Sequence, residues 1–279
     1  EVPLHAKGVK AAEEDQVAQL AAEGPQYGLF LFGGDDEHNQ QTDTLMIFYL
    51  QENKWRHPSD KGRRPSKRSR HTANVISAGR GELLLIFGGV GATNAVSLLD
   101  PTSLEWKHPP SRSKPGEKEK AKRRAAKKKD VDVGAEDKPL SESLLPCARF
   151  GHSAAVVGKR MLLFGGADFK GPLGDLYQLD LDDLDNLEWS RPEAAGLPPP
   201  PSARHCCAVV RDHMLLISGE TSWGGHMWAL RLSSPMTWVR STLPDFPLLG
   251  VSRHALVPYV TPRPYKREEL LLFGGHLEA

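Results

Sequence analysis

An apolar run that ends in a double glycine recurs along the chain, and its spacing restricts the possible folds more than any other feature. It reads Leu29-Phe30-Leu31-Phe32-Gly33-Gly34, then Leu84-Leu85-Ile86-Phe87-Gly88-Gly89, then Leu162-Leu163-Phe164-Gly165-Gly166. A degraded copy, Leu215-Leu216-Ile217-Ser218-Gly219, is followed by a clean one, Leu271-Leu272-Phe273-Gly274-Gly275. The equivalent positions 33, 88, 165, 218 and 274 lie 55, 77, 53 and 56 residues apart, and a charged insertion falls inside the long step. A fixed period of this length marks a repeat architecture.

Each phrase has the same surroundings. Upstream, a basic residue stands close before a histidine that leads into small apolar residues: Arg70-His71, Arg149-Phe150-Gly151-His152, Arg204-His205 and Arg253-His254. Downstream comes an alternating run, such as Thr44–Leu50, Asn94–Leu99 or Asp175–Leu181, and then a tryptophan at 55, 106, 189 or 238. Four short apolar runs divided by turn residues predict four antiparallel strands per unit. One such sheet cannot bury both of its faces, but sheets stacked radially cover one another and leave only short edges. The glycines then serve positive φ or a close approach to the next sheet. The tryptophan supplies an apolar body for the seam between sheets.

This set of motifs resembles the kelch repeat, and the resemblance spans the chain apart from residues 1–26 and the insertion at 110–143. It implies an all-β fold: a kelch-type β-propeller of four-stranded antiparallel blades, forming one domain over 1–279 with about five recognisable repeats. In the family's order the Arg/His run is strand a, the glycine phrase b, the alternating run c and the tryptophan segment d. Kelch rings have six or seven blades, whereas the fifth repeat stops at Ala279 without strands c and d. The resemblance therefore predicts that the sequence is part of a longer protein, or that other strands complete the ring.

The chain is otherwise ordinary for a globular protein, and its 26 Gly and 22 Pro suit a turn-rich β fold. No apolar run approaches the roughly 18 residues that span a bilayer, so membrane insertion is not expected. The start, Glu1-Val2-Pro3-Leu4, carries neither an initiator methionine nor a secretion signal, which leaves targeting open. Three cysteines, Cys147, Cys206 and Cys207, make a poor disulfide framework, and they point to a reducing compartment. Cytoplasm is expected, with nucleus, cytoskeleton and cilium as alternatives. Residues 11–23 are rich in helix formers and end at Gly24-Pro25, which predicts a short helix.

The charge is unevenly placed. Residues 112–129 hold ten Lys/Arg against two Glu, so the remainder of a chain of net charge +1 is near −7. This segment, with Lys122, Arg123, Arg124, Lys127, Lys128 and Lys129 at its centre, has no aromatic or β-branched residue and is expected to be disordered. It reads equally as a tolerated surface insertion or as a nuclear-import signal, a contact for nucleic acid or filaments, or an anchor. Six of the ten residues 61–70 are also basic, Arg63, Arg64, Lys67 and Arg68 among them. That link is either a solvated loop or a surface for an acidic partner or nucleic acid phosphate.

The remaining contact candidates are Asp35, Asp36, Glu37 and His38 after the first phrase, and Thr221 and Trp223 after the fourth. The Asp-rich stretch 180–185 lacks the glycine and closing glutamate of a calcium loop and reads as a turn. Histidine at the same place in four repeats is architectural, expected to bond backbone groups near the strand-a entrance. No zinc-protease, Cys-x-x-Cys, phosphate-loop or nucleophile-elbow motif is present. The tyrosine–cysteine copper site and the iron site of particular kelch branches find no matching residues. No catalytic residue, metal or cofactor is assigned. The resemblance implies a scaffold that binds other proteins through loops, in cytoskeletal, ciliary or ubiquitin-ligase assemblies. The alternative is a ribonucleoprotein or filament subunit docked through 112–129.

Overall fold

The computed structural model describes residues 28–79, 81–113, 145–217, 226–242, 251–260 and 268–277. The expected N-terminal helix, the basic residues Lys122 to Lys129, Thr221 and Trp223 all lie outside the described residues. Within them the chain is built of strands, with no helix. It divides into two compact units, residues 1–33 with 44–59, and residues 34–43 with 60–279.

The first unit holds a three-stranded antiparallel sheet, β1 (Gly28–Phe32), β2 (Leu45–Tyr49) and β3 (Lys54–Arg56). Alternation along β2 buries Leu45 and Ile47. On the other side of the pleat Phe48 meets Trp55 with ring centroids 5.1 Å apart.

The second unit carries four successive sheets. The first is β4 (Thr72–Ala78), β5 (Gly81–Phe87), β6 (Val96–Asp100) and β7 (Glu105–Lys107), paired in that order. Next come β8 (Ser111–Ser113), β9 (Ser153–Val157), β10 (Arg160–Phe164), a short hairpin of β11 (Ala167–Asp168) and β12 (Gly171–Pro172), then β13 (Leu176–Asp180) and β14 (Leu187–Ser190). The third group is β15 (Ala194–Ala195), β16 (Cys206–Val210), β17 (His213–Ile217), β18 (His226–Arg231) and β19 (Met236–Thr242). The last is a pair, β20 (Val251–Val260) and β21 (Glu268–Leu277).

One register runs through all four sheets. The residue after the histidine pairs with the residue before the first glycine position: Thr72 with Phe87, Ser153 with Phe164, Cys206 with Ile217 and Ala255 with Phe273. The repeat read from the sequence is thus a repeat of backbone pairing.

The three complete blades of the second unit keep the expected four antiparallel strands, and two of them are extended. Two blades gain a fifth, parallel strand on the outer edge, where β8 pairs β14 and β15 pairs β19. In the first of the four sheets a single parallel bridge, Lys61 to Glu105, takes the same place. The link that enters each of these three blades therefore first closes the outer edge of that blade, where a bare ladder would otherwise offer itself to another chain. Gly62 and Gly196 permit the approach: both have positive φ, and a Cβ there would stand 2.8 Å and 2.5 Å from the carbonyl oxygens of Trp106 and Trp238.

Seams between neighbouring sheets are apolar and alternate along each strand. On β10, Met161 and Leu163 face the preceding sheet, packing with Leu85, Phe87 and Val96, whereas Leu162 and Phe164 face the next, packing with Met214, Leu216 and Trp228. The phenylalanine before the glycines packs on the next blade's tryptophan, Phe87 on Trp189 at 5.1 Å and Phe164 on Trp238 at 5.4 Å. The tryptophan seam expected from the sequence is present at these two joints. Cys206 and Cys207 face opposite seams, as their adjacency on a strand requires.

Candidate partner-binding site

The glycine phrases end on the inner part of the sheets, and there they lock onto the histidines. Gly88 and Gly165 have φ of 68° and 61°. A Cβ on Gly88 would lie 2.5 Å from His152 Cε1 and 2.6 Å from the Arg149 carbonyl oxygen. One on Gly165 would lie 2.7 Å from the Ser202 carbonyl oxygen and 3.0 Å from His205 Cε1. Each first glycine thus leaves room for the histidine of the next blade. The second glycine seats the histidine of its own blade: a Cβ on Gly166 would stand 2.8 Å from His152 Cβ.

The histidines bond side chains where the sequence reading expected backbone groups. His152 Nε2 shares a 2.9 Å hydrogen bond with Thr72 Oγ1, and His205 Nε2 shares one of 2.9 Å with Ser153 Oγ. The hydroxyl belongs to the preceding blade in both cases, so these bonds cross the seam. Their burial and repetition make them structural, although each has the residue types of a nucleophile and base. Burial first, then Arg149 and the neighbouring histidines, pushes His152 down to about 3, and burial with Arg68 pushes His71 down to about 4.

Aligning the blades on histidine corrects the reading of the arginines. Arg149 stands three residues before its histidine, as Arg68 does, while Arg70 and Arg204 stand one residue before and match Gly151. The two positions do different work. Arg68 and Arg149 are buried, 4% and 1% exposed, and each donates through Nη1 to the carbonyl of its own first glycine, Gly88 at 3.1 Å and Gly165 at 3.0 Å. Arg149 also pairs with Asp175 at 2.6 Å. Arg68 is therefore taken up by the fold, and its assignment to a partner surface is corrected. Arg70, Gly151 and Arg204 share φ near +60°.

These three positions line one cavity of about 420 Å³, together with Asp35, Asn39, His71, His152 and His205. Gly151 gives Arg204 its space, since a Cβ there would stand 3.1 Å from Arg204 Cγ. Arg70 lies over the Phe150 ring at 6.0 Å. His152 Nδ1 is buried with no hydrogen-bond partner among the described residues. Two guanidinium groups and imidazole nitrogens around such a space have the chemistry to receive a carboxylate or another anion.

The other expected contacts are spread along one set of loops. Asp36 caps its own turn, accepting from the backbone N–H groups of His38 at 2.8 Å and Gln40 at 2.9 Å. Asp35 accepts from Gln41 Nε2 at 3.3 Å, and Glu37 and His38 are exposed. Arg64 pairs with Asp60, which also accepts the Trp106 indole N–H at 2.6 Å. The Arg64 bond is the main cause that holds the Asp60 carboxyl below its ordinary range. Arg63 and Lys67 are exposed.

Sequence reasoning missed Phe169. It sits 91% exposed at the tip of the β11–β12 hairpin, with Lys170 over its ring at 5.4 Å, and the hairpin base is bridged from Ala167 to Phe150 beside the cavity. Its signal was an aromatic within the turn Asp168–Gly171, which the glycine phrase overshadowed. Among the described residues no group of three His, Cys, Asp or Glu is placed to hold a metal, and no helix is long and apolar enough to cross a membrane.

The sequence profile of the KLHDC2/KLHL20/DRC7 Kelch-repeats domain matches residues 11–130 and 129–278. An F-box/kelch-repeat protein of Arabidopsis thaliana is 27% identical over 273 residues, 88% of this chain and 49% of its own length. The flagellar outer-arm dynein alpha chain of Chlamydomonas reinhardtii is 40% identical over 85 residues, 29% of this chain and 2% of its own. An acyl-CoA-binding domain-containing protein of Arabidopsis thaliana is 27% identical over 221 residues, 67% of this chain and 32% of its own. The chain thus spans less than half the length of each of these relatives.

Proposed function

Because the chain belongs to the kelch-repeat family, we propose that it is a non-catalytic scaffold whose loops and inner cavity bind a partner protein through a carboxylate-bearing segment. The observation that supports this is the cavity itself. Arg70 and Arg204 occupy one repeat position in two blades, and Gly151 between them leaves the space open. Kelch domains act as protein-interaction scaffolds, and rigid blades present such groups at little ordering cost. Exposed Phe169 beside the cavity, the 35–38 loop and Trp223 would extend the contact. Cysteine placement favours a reducing compartment, where Cys206 and Cys207 remain thiols that burial pushes up to about 12 and about 11.

The test is native purification after nuclease treatment, comparing the wild-type chain with Arg70→Ala/Arg204→Ala. Partners retained by the wild type and lost by the variant are the expected result. An unchanged partner set would overturn the role of the cavity. Binding lost on nuclease treatment or on deletion of 112–129 would instead favour docking through the basic segment.

A further inference from the structure

We propose that Ser66 is a phosphorylation site for an arginine-directed protein kinase, and that its phosphate becomes the missing counter-ion of the buried Arg68 guanidinium. The first observation concerns Arg68 and its counterpart. Arg149, at the same repeat position, is met by the carboxylate of Asp175, with contacts of 2.6 Å and 3.0 Å. Asp175 immediately precedes Leu176, the strand residue paired with Phe164; in the blade of Arg68 the matching pair is Val96 with Phe87, and the residue before it is Ala95.

Arg68 is just as deeply placed, 4% exposed, yet its bonds go only to neutral acceptors: the carbonyl oxygens of Gly88 at 3.1 Å and Ser66 at 3.0 Å, and Ser66 Oγ at 3.1 Å. No carboxylate among the described residues pairs with it. A guanidinium taken from water without an anion is unfavourable, and burial accordingly pulls Arg68 below its ordinary value.

The second observation is the setting of Ser66. It is exposed and lies on the irregular link before β4; its hydroxyl oxygen accepts from Arg68 Nη2 at 3.1 Å, while the O–H donates to the Gly91 carbonyl oxygen at 3.5 Å. Arg63 and Arg64 stand three and two residues before it, in the sequence Arg63-Arg64-Pro65-Ser66. Both face solvent; Arg64 is held by Asp60 in an ion pair that a kinase's acidic groups would exchange. In the transfer, Ser66 Oγ attacks the γ-phosphorus of ATP and gives its proton to the kinase. The bond from that phosphorus to the bridging oxygen breaks, and ADP leaves. The product places a dianionic group against Arg68, with Arg63 and Lys67 nearby in sequence.

The experiment treats the folded chain with the catalytic subunit of an arginine-directed kinase and ATP, maps the product by mass spectrometry and follows melting. Expected is modification at Ser66, slowed about tenfold by Arg63→Ala/Arg64→Ala, the size of one lost charge-assisted contact. The melting temperature should rise by about 2–4 °C on modification and stay constant in kinase-treated Ser66→Ala. A phosphorus NMR titration should put the second phosphate pKa below its usual value of about 6, and Arg68→Gln should restore that value. If Arg68→Gln fails to fold, the wild-type titration alone decides. Failure to modify Ser66 in the folded chain would overturn the site. A phosphate titrating at its usual value, or an unchanged or lowered melting temperature, would overturn the counter-ion role.

Discussion

At the scale of single residues, burial holds His152 and His71 neutral, and that has a cost in acid. His152 at about 3 and His71 at about 4 lie below the roughly 6.5 of an unfolded chain. Between those values the unfolded chain binds more protons than the folded one. Stability is complete above pH ~6.5 and is lost as pH falls toward the folded values, by up to about 1.4 kcal/mol per pH unit for each histidine. Thermal melts from pH 7 to pH 4.5 should show the decline, and His152→Gln should make it shallower while lowering stability at pH 7. A parallel decline in both proteins would assign the acid sensitivity elsewhere. The histidines and glycines were legible because they repeat. The two kinds of arginine were not, because Arg70 and Arg149 look alike until the blades are aligned on histidine rather than on charge.

At the scale of elements, the buried ends of β5 and β10 are closed by the tryptophan of the following blade. Trp189 packs against Phe87 at 5.1 Å and against Tyr177 at 6.1 Å. Trp189→Ala should cost about 3–5 kcal/mol, read as a lower denaturation midpoint. Trp55, half-exposed on β3, is the contrast, and Trp55→Ala should cost less than about 1.5 kcal/mol. Strands a to d could be read from apolar alternation. The outer strands β8 and β15 could not, since Ser111-Arg112-Ser113 and Ala194-Ala195 carry no apolar pattern; they join the sheet through a parallel ladder, to which β8 adds the Arg112–Glu188 ion pair at 2.7 Å. The cavity was equally hidden, because its lining runs from Asp35 to His205 and only the stacking of blades gathers it.

For the molecule as a whole, each sheet in the second unit relies on a neighbour for at least one of its faces. β20 and β21 meet the preceding sheet through Leu256, Leu270 and Leu272, while Val257, Leu271 and Phe273 stay exposed, Phe273 by 82%. An apolar face of this kind associates with itself in solution. The 279-residue chain should sediment with a concentration-dependent mass that Leu271→Lys/Phe273→Lys reduces; a concentration-independent mass in the wild type would contradict this.

The crossed contacts of glycine and histidine also bear on how such a chain can be cut and joined. Gly88 belongs with His152 and Trp189, and Gly165 with His205 and Trp238, although each set straddles two repeats. The natural unit of duplication is then the joint, not the blade. A segment copied from one glycine phrase through the tryptophan of the following blade brings that interface with it. A segment cut at the borders of a single sheet brings two halves that must find matching strangers.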